Sequence, residues 1–305
     1  MQNIEHKNTE APMVSIGVPV YNGEQTLRAA LNSLTTQSFQ NFEIIISDNA
    51  STDETQKICE SFSQQDDRFI YIRQEKNIGA AKNFEFVFQQ AKGKYFMWAA
   101  ADDIRSENFI EENLNFLERN IDYVASTSPN CFEKIDGKET KKITFSLEGD
   151  FKNRVDEFLE NAWISHGIIF SLIRTKVLKN YPLPFEHFIG VDWAINIFMI
   201  SKGKIHRTSK GLMTSGASGI SSNKNPWRPY RTNFICWAFP FYKFSLFTLQ
   251  VSNGTAIIWR FKLLVKLLKL NFNAMKDQII AELYIFYVHH IKTHRKKKTE
   301  NRLTL

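Results

Sequence analysis

Residues 14–55 read VSIGVPVYNGEQTLRAALNSLTTQSFQNFEIIISDNASTDET. VSIGVPV (Val14–Val20) and FEIIIS (Phe42–Ser47) are short, almost unbroken apolar runs, the pattern of strands buried on both faces. The stretch from Glu24 to about Leu34 reads as a helix between them. Asp53 and Glu54 then open a second helix, placing negative charge where the helix dipole favours it. Strand, helix, strand, helix is the opening of a parallel α/β sheet.

Working outward, FIYIR (Phe69–Arg73), YFMWAA (Tyr95–Ala100) and DYVAST (Asp122–Thr127) continue the strands. Helices over Ala80–Ala91 and Glu107–Arg119 lie between them. The expected fold is α/β, a Rossmann-like, mostly parallel sheet flanked by helices. From 130 to 225 the pattern is mixed: GIIFSLIR (Gly167–Arg174) reads as a strand, and VDWAINIFMISKG (Val191–Gly203) as a helix ending at Gly203. SGASGISSN (Ser215–Asn223) is a loop that closes the body. The expected division is a flexible N-terminus at 1–12, a body at 13–225 and a helical C-terminal region at 226–305.

The chain has 305 residues, 43% of them hydrophobic, and a net charge of +7. That charge is unevenly spread. Residues 1–225 carry 25 Lys and Arg against 29 Asp and Glu, a net of −4, whereas residues 226–305 carry 14 against 3, a net of +11. The tail is therefore expected to meet something anionic, nucleic acid or a membrane surface. On a helical wheel of Ile257–Leu270, Lys262, Lys266 and Lys269 share one arc, while Ile257, Ile258, Phe261, Leu264, Val265 and Leu268 take the other side. Such a helix suits a membrane interface; a helix packed on the body with its lysines in water gives the same pattern. HRKKK (His294–Lys298) favours the membrane, since each basic residue near an anionic leaflet contributes about 1 kcal/mol. No nucleic-acid fold motif is present. No long uncharged run predicts a span, and no signal peptide is visible. Cys59, Cys131 and Cys236 show no metal or redox spacing, which is expected of reduced thiols in a cytoplasmic protein.

In parallel sheets, ligands bind outside the carboxyl ends of the strands. The residues just after each strand here are Pro19-Val20-Tyr21-Asn22-Gly23, then Asp48-Asn49-Ala50-Ser51-Thr52-Asp53, then Asn77-Ile78-Gly79, then Asp102-Asp103. A ring, a hydrogen-bonding Asp and an acidic pair converging on one crevice suit a base, a ribose and a metal-bound diphosphate. Each alone also has a bland reading. Tyr21 is equally a packed rim residue, Asp48 a loop cap, and Asp102-Asp103 a capping pair before a helix.

Residues 14 to about 120, through NIGAAKN and KGKYFMWAAADD, resemble family 2 glycosyltransferases, which have the GT-A fold. Members begin with a strand ending P-x-Y-N, a helix with L-x-S-L-x-x-Q and a strand ending D-D-G-S-x-D. The resemblance implies that Tyr21 lies against the nucleobase, with Pro19 and Asn22 shaping that turn, and that Asp48 hydrogen-bonds the base. Asn77 is placed at the same nucleotide-sugar site. Asp102 and Asp103 match the acidic motif that touches ribose and holds a divalent metal, Mg²⁺ or Mn²⁺. Asn49 stands where many members have a second Asp, Ala50 replaces a glycine, and Ala100 occupies an often acidic position.

The same resemblance places a catalytic base in an acidic pair at the start of a helix, which Val191-Asp192-Trp193, preceded by PFEHFIG, matches at Asp192. A carboxylate there would remove the acceptor hydroxyl proton; a helix cap is the alternative. Trp163, His166 and Gly167 lie where relatives face sugar, and His166 is as readily structural. Lys82 would reach the pyrophosphate, or face solvent. No clear Q-x-x-R-W motif follows, so single-sugar transfer is expected over processive synthesis. The implied activity is inverting, metal-dependent transfer from a nucleotide-diphosphate sugar to a glycan or lipid-linked acceptor. The expected setting is cell-surface polysaccharide synthesis at the inner face of the membrane. A catalytically degenerate nucleotide- or glycan-binding relative remains the alternative.

Overall fold

A computed structural model describes residues 11–132, 142–165, 167–182, 188–216 and 227–303, with side chains to residue 288. Among these, the strands are β1 (Val14–Val20), β2 (Phe42–Asp48), β3 (Phe69–Arg73), β4 (Tyr95–Trp98), β5 (Ile104–Arg105), β6 (Tyr123–Thr127), β7 (Asn130–Phe132), β8 (Leu172–Arg174), β9 (Lys204–Arg207) and β10 (Met213–Ser215). The helices are α1 (Leu27–Thr35), α2 (Thr55–Gln65), α3 (Ala80–Gln89), α4 (Phe109–Arg119), α5 (Phe151–Asn161), α6 (Thr175–Leu178), α7 (Val191–Lys202), α8 (Phe234–Ala238), α9 (Tyr242–Val251) and α10 (Ile257–Leu303).

Seven strands form one sheet in the order β3-β2-β1-β4-β8-β6-β9. All pairs are parallel except those of β8, which runs antiparallel between β4 and β6. Every residue of β1 and β2 is buried, which is why these strands carry apolar residues at almost every position rather than at alternate ones. Leu31 and Leu34 of α1, Phe62 of α2 and Phe109 of α4 join the core that packs against them. The strand order reverses beside β1: the chain steps out to β2 and β3, then returns to place β4 on the other flank. Val20 pairs with Asp48 in register, so the loops leaving β1 and β2 start level with each other.

The run Gly167–Arg174 differs from its expected form. Only Leu172–Arg174 is strand. Residues 167–170 form a turn in which Ser171 donates its backbone N–H (3.2 Å) and its hydroxyl (2.6 Å) to the Ile168 carbonyl. Ile168 and Ile169 are buried in that turn, so the apolar run reports burial and not extension.

A second sheet, β5-β10-β7, has three short strands. It matters because β5 directly follows the acidic pair. Both sheets belong to one compact unit, Met1–His187 with Val191–Gly219; the other, Phe188–Gly190 with Ile220–Leu305, is helical in its described residues. Among the described residues no helix is long and apolar enough to cross a membrane. Residues 1–10, His166 and most of the 215–223 loop lie outside the described residues, as do the side chains of HRKKK.

Ala50, where the family resemblance implies glycine, has φ 59°. That left-handed backbone costs a residue with a Cβ roughly 1–2 kcal/mol. Ala50→Gly is expected to raise stability by about 1 kcal/mol, net of the added chain entropy, in urea or thermal unfolding.

Candidate active site

The β1–α1 loop is held by the β2–α2 loop through side chains. Asn22, at φ 50°, donates its N–H to Ser51 Oγ (2.9 Å), and its Oδ1 accepts from the Thr52 N–H (2.9 Å). Gly23 N–H donates to Thr55 Oγ1 (2.8 Å) and Glu24 N–H to Asp53 Oδ2 (3.1 Å), while Glu24 Oε2 accepts from Glu54 N–H (3.1 Å). The S-T-D-x-T stretch therefore acts as a template for the first loop. On that template Tyr21 stands at the rim, 49% exposed. Pro19 fits its strand because of where β4 stops. Ala99 N–H donates to Gly17 O and Asn49 N–H to Val20 O, so residue 19 faces the β4 side, beyond the last β1–β4 pair at Gly17 and Trp98. Its missing N–H costs no ladder bond.

Asp48 differs from its expected role. Its side chain is fully buried and already engaged: Oδ1 accepts from Ser51 N–H (2.8 Å), and Oδ2 from Tyr71 Oη (3.1 Å) and Arg73 Nη1 (2.6 Å). A carboxylate so enclosed organises the loop. Asn77 is exposed, with its amide oxygen engaged by the neighbouring loops. Its Oδ1 accepts from Asn49 Nδ2 (3.0 Å) and Gly79 N–H (2.9 Å), while Asn49 Oδ1 takes the Ile78 N–H (2.8 Å). Lys82 is exposed in the first turn of α3. Its neighbour Asn83 turns inward, donating to Ser47 O (2.9 Å) and accepting from Ser47 Oγ (2.6 Å).

The acidic pair divides by burial. Asp102 is half-buried, whereas Asp103 is buried, with Oδ1 accepting from Gly216 N–H at 3.3 Å. Burial pushes the Asp103 carboxyl up to about 6, against the lowering effect of nearby Arg105. Asp103 Oδ2 has no hydrogen-bond partner among the described residues, and neither do Nε and Nη1 of the buried Arg105. The pair does not cap α4, whose cap position is Asn108. Gly216 closes over it: a Cβ there would lie 2.5 Å from Asp102 O and 2.7 Å from Asp102 Oδ2.

Asp102 fits a metal, but only in part. Among the described residues no group of three or more His, Cys, Asp or Glu side chains could hold one. A hard divalent ion at this carboxylate would draw most of its ligands from phosphate oxygens and water.

Asp192 is half-buried in the first turn of α7, one residue past its start, so it is a helical residue and not the cap. Beside it Trp193 is buried, edge-on to Phe158 (6.2 Å between centroids) and to Trp163 (5.2 Å). Reading the sequence misses Gly216, Arg73, Ser51 and Thr55 as builders of this edge. For Arg73 a signal existed, since it ends a strand whose neighbour ends at Asp48. Gly216 gave none beyond a loop composition.

A parallel sheet with a reversal beside β1 has an aromatic and an acidic side chain just past adjacent strand ends, on the edge where such sheets bind ligands. The sequence profile described as Glycosyl transferase family 2 matches residues 15–181, and the chain belongs to that family. Glycosyltransferase GlyG of Streptococcus pneumoniae is 35% identical over 180 residues, 58% of this chain and 60% of that protein. An uncharacterised glycosyltransferase of Rickettsia prowazekii is 37% identical over 113 residues, 37% of this chain and 34% of that protein. The chain thus spans between about a third and three fifths of these relatives. TarS 1–349 of S. aureus, solved with UDP-GlcNAc, has TM-score 0.62 at 18% identity, covering 84% of this chain and 71% of that one. The Pyrobaculum calidifontis mannosyltransferase PcManGT, solved with GDP-Man and Mn²⁺, has TM-score 0.53 at 15% identity, covering 90% and 74%. These likenesses establish the GT-A fold.

Gly216→Ala is expected to leave the circular dichroism spectrum unchanged while displacing Asp102. The nucleoside diphosphate that stabilises the wild type with Mn²⁺ is then expected to bind about tenfold more weakly or worse, measured by calorimetric titration.

Proposed function

We propose that this protein is an inverting glycosyltransferase that moves one sugar from a nucleotide-diphosphate sugar to a glycan or lipid-linked acceptor in cell-surface polysaccharide synthesis. The observation that carries the reading is the placement of Tyr21 and Asp102 at the ends of β1 and β4, where the strand order reverses. Tyr21 offers its exposed ring to the nucleobase, and the braced turn of Pro19 and Asn22 fixes where that ring stands. Asp102 faces ribose and diphosphate, and holds Mg²⁺ or Mn²⁺ together with the donor's own phosphates. A divalent ion bound there supplies positive charge that offsets the leaving diphosphate. Asp103 braces the pair through Gly216. Lys82 is open to the diphosphate and to solvent alike. Asp48 and Asn77 act on the nucleotide through the loops they build.

Asp192 takes the proton from the acceptor hydroxyl as that oxygen attacks the anomeric carbon, and direct displacement inverts the configuration there. The net charge of +11 over residues 226–305 supports work at the inner, anionic face of the cell membrane.

Thermal unfolding against a panel of nucleoside diphosphates, with and without Mn²⁺ or Mg²⁺, tests the reading. One nucleotide with metal is expected to stabilise the protein, by about 2.7 kcal/mol at a hundred times its Kd. Metal alone is expected to do little, since Asp102 offers it too few ligands. Asp102→Asn is expected to remove the metal-dependent part. Asp192→Asn should keep the stabilisation and lose about a hundredfold or more in transfer. Stabilisation without any transfer by the wild type would favour a degenerate binding relative, and no stabilisation by any nucleotide would sink both readings.

A further inference from the structure

Helix α10 packs inward with polar side chains among its buried apolar ones, and leaves other apolar residues outside. On the inner side, Asn271 Oδ1 accepts from Phe241 N–H (2.9 Å) and its Nδ2 donates to Ser245 Oγ (2.9 Å). Gln278 Oε1 accepts from Arg231 Nε (2.7 Å), and its Nε2 donates to Trp237 O (3.3 Å). Glu282 receives Arg228 (3.1 Å) and Arg231 (2.7 Å). Positions 271, 278 and 282 share a helix face with the buried Leu263, Leu267 and Ala274. These contacts fix the rotation of α10 about its own axis.

What that rotation leaves outside is an apolar stripe. Ile257, Phe261, Val265, Leu268, Phe272 and Phe286 recur at helical spacing along one face and are between 50 and 81% exposed. The stripe runs for about 44 Å at 1.5 Å per residue. Lys262, Lys269 and Lys276, all exposed, repeat every seven residues and line one edge of it. Of the acidic residues among the described side chains of α10, Glu282 is engaged by the two arginines, and Asp277 lies beyond the lysine edge from the stripe.

A continuous apolar face with an exposed lysine edge, its one neighbouring carboxylate engaged by two arginines, suits an acyl-chain boundary beneath anionic headgroups. A second copy packed stripe to stripe would bring two lysine edges near each other. The geometry points to α10 as a helix that lies in the plane of an anionic bilayer surface, its Ile257–Phe286 stripe inserted among the acyl chains and its lysines at the headgroups. This rests on the reading that the protein works at a membrane, and specifies that apolar insertion holds it there rather than charge alone.

The test is co-sedimentation of the full chain with vesicles of equal parts phosphatidylglycerol and phosphatidylcholine, at low and at high salt. Wild type is compared with the combined variant Phe261→Ser, Leu268→Ser, Phe272→Ser, and sedimentation velocity reports self-association. Circular dichroism and nucleotide-induced stabilisation check that both chains fold. The wild type is expected to stay bound at high salt, and the variant to lose about a hundredfold in partitioning. Wild-type binding that salt abolishes, with the variant bound equally at low salt, would overturn the inserted stripe and leave the membrane reading standing. An absence of vesicle binding would overturn both, whether the stripe is then covered by a second copy, seen as a dimer that the variant dissolves, or by nothing.

Discussion

The buried carboxylate of Asp48 is the constraint on which the donor edge depends. An ionised carboxylate removed from water costs several kcal/mol unless it is paired and hydrogen-bonded. Here a guanidinium, a phenol and a backbone N–H share it. Those bonds tie the end of β2 to the end of β3 and fold residues 48–51 into a fixed turn. That turn presents Ser51 and Thr52 to Asn22, and Asn22 in turn sets the place of Tyr21. A fully buried carboxylate thus determines where the half-exposed Tyr21 ring stands.

The acidic pair shows a similar division of labour over a shorter distance. Asp103 is turned into the protein beside Arg105 and beneath Gly216, and Asp102 is left half-open at the crevice. The small sheet makes this possible. Because β10 pairs with β5, Gly216 is delivered directly onto the pair from a segment more than a hundred residues away. The buried Trp193, edge-on to buried Phe158 and to the exposed Trp163, gives Asp192 a comparably firm seat on α7.

Strands buried on both faces leave a plain trace in the sequence, and β1, β2, β4 and β6 were legible from their apolar runs; β3, an edge strand with only Phe69 buried, was legible from FIYIR as well. Gly167–Arg174 misled because Ile168 and Ile169 are apolar for burial in a turn, and composition alone does not separate that from extension. Motif positions marked the loops that follow β1, β2 and β4, but how far Asp48 is enclosed depends on Arg73 and Tyr71, which arrive from another strand. Gly216 was invisible because its neighbour in space is remote in the chain. In α10 the wheel revealed an apolar face and a lysine edge. It could not tell which side packs inward, since that is settled by Arg228, Arg231 and Trp237.

The lacing of the two loops carries an implication for how such chains diverge. Asn22 is joined to Ser51 and Thr52, Gly23 to Thr55, and Glu24 to Asp53 and Glu54, each pair separated by 29 to 32 positions. Each of these bonds joins a side chain to a backbone N–H, so losing one of the side chains strands an amide that no substitution at the facing position restores. Across relatives Asn22, Glu24, Ser51, Asp53 and Thr55 should each be held singly by the amide it satisfies, with the ring at position 21 free to change because it takes no part in these bonds.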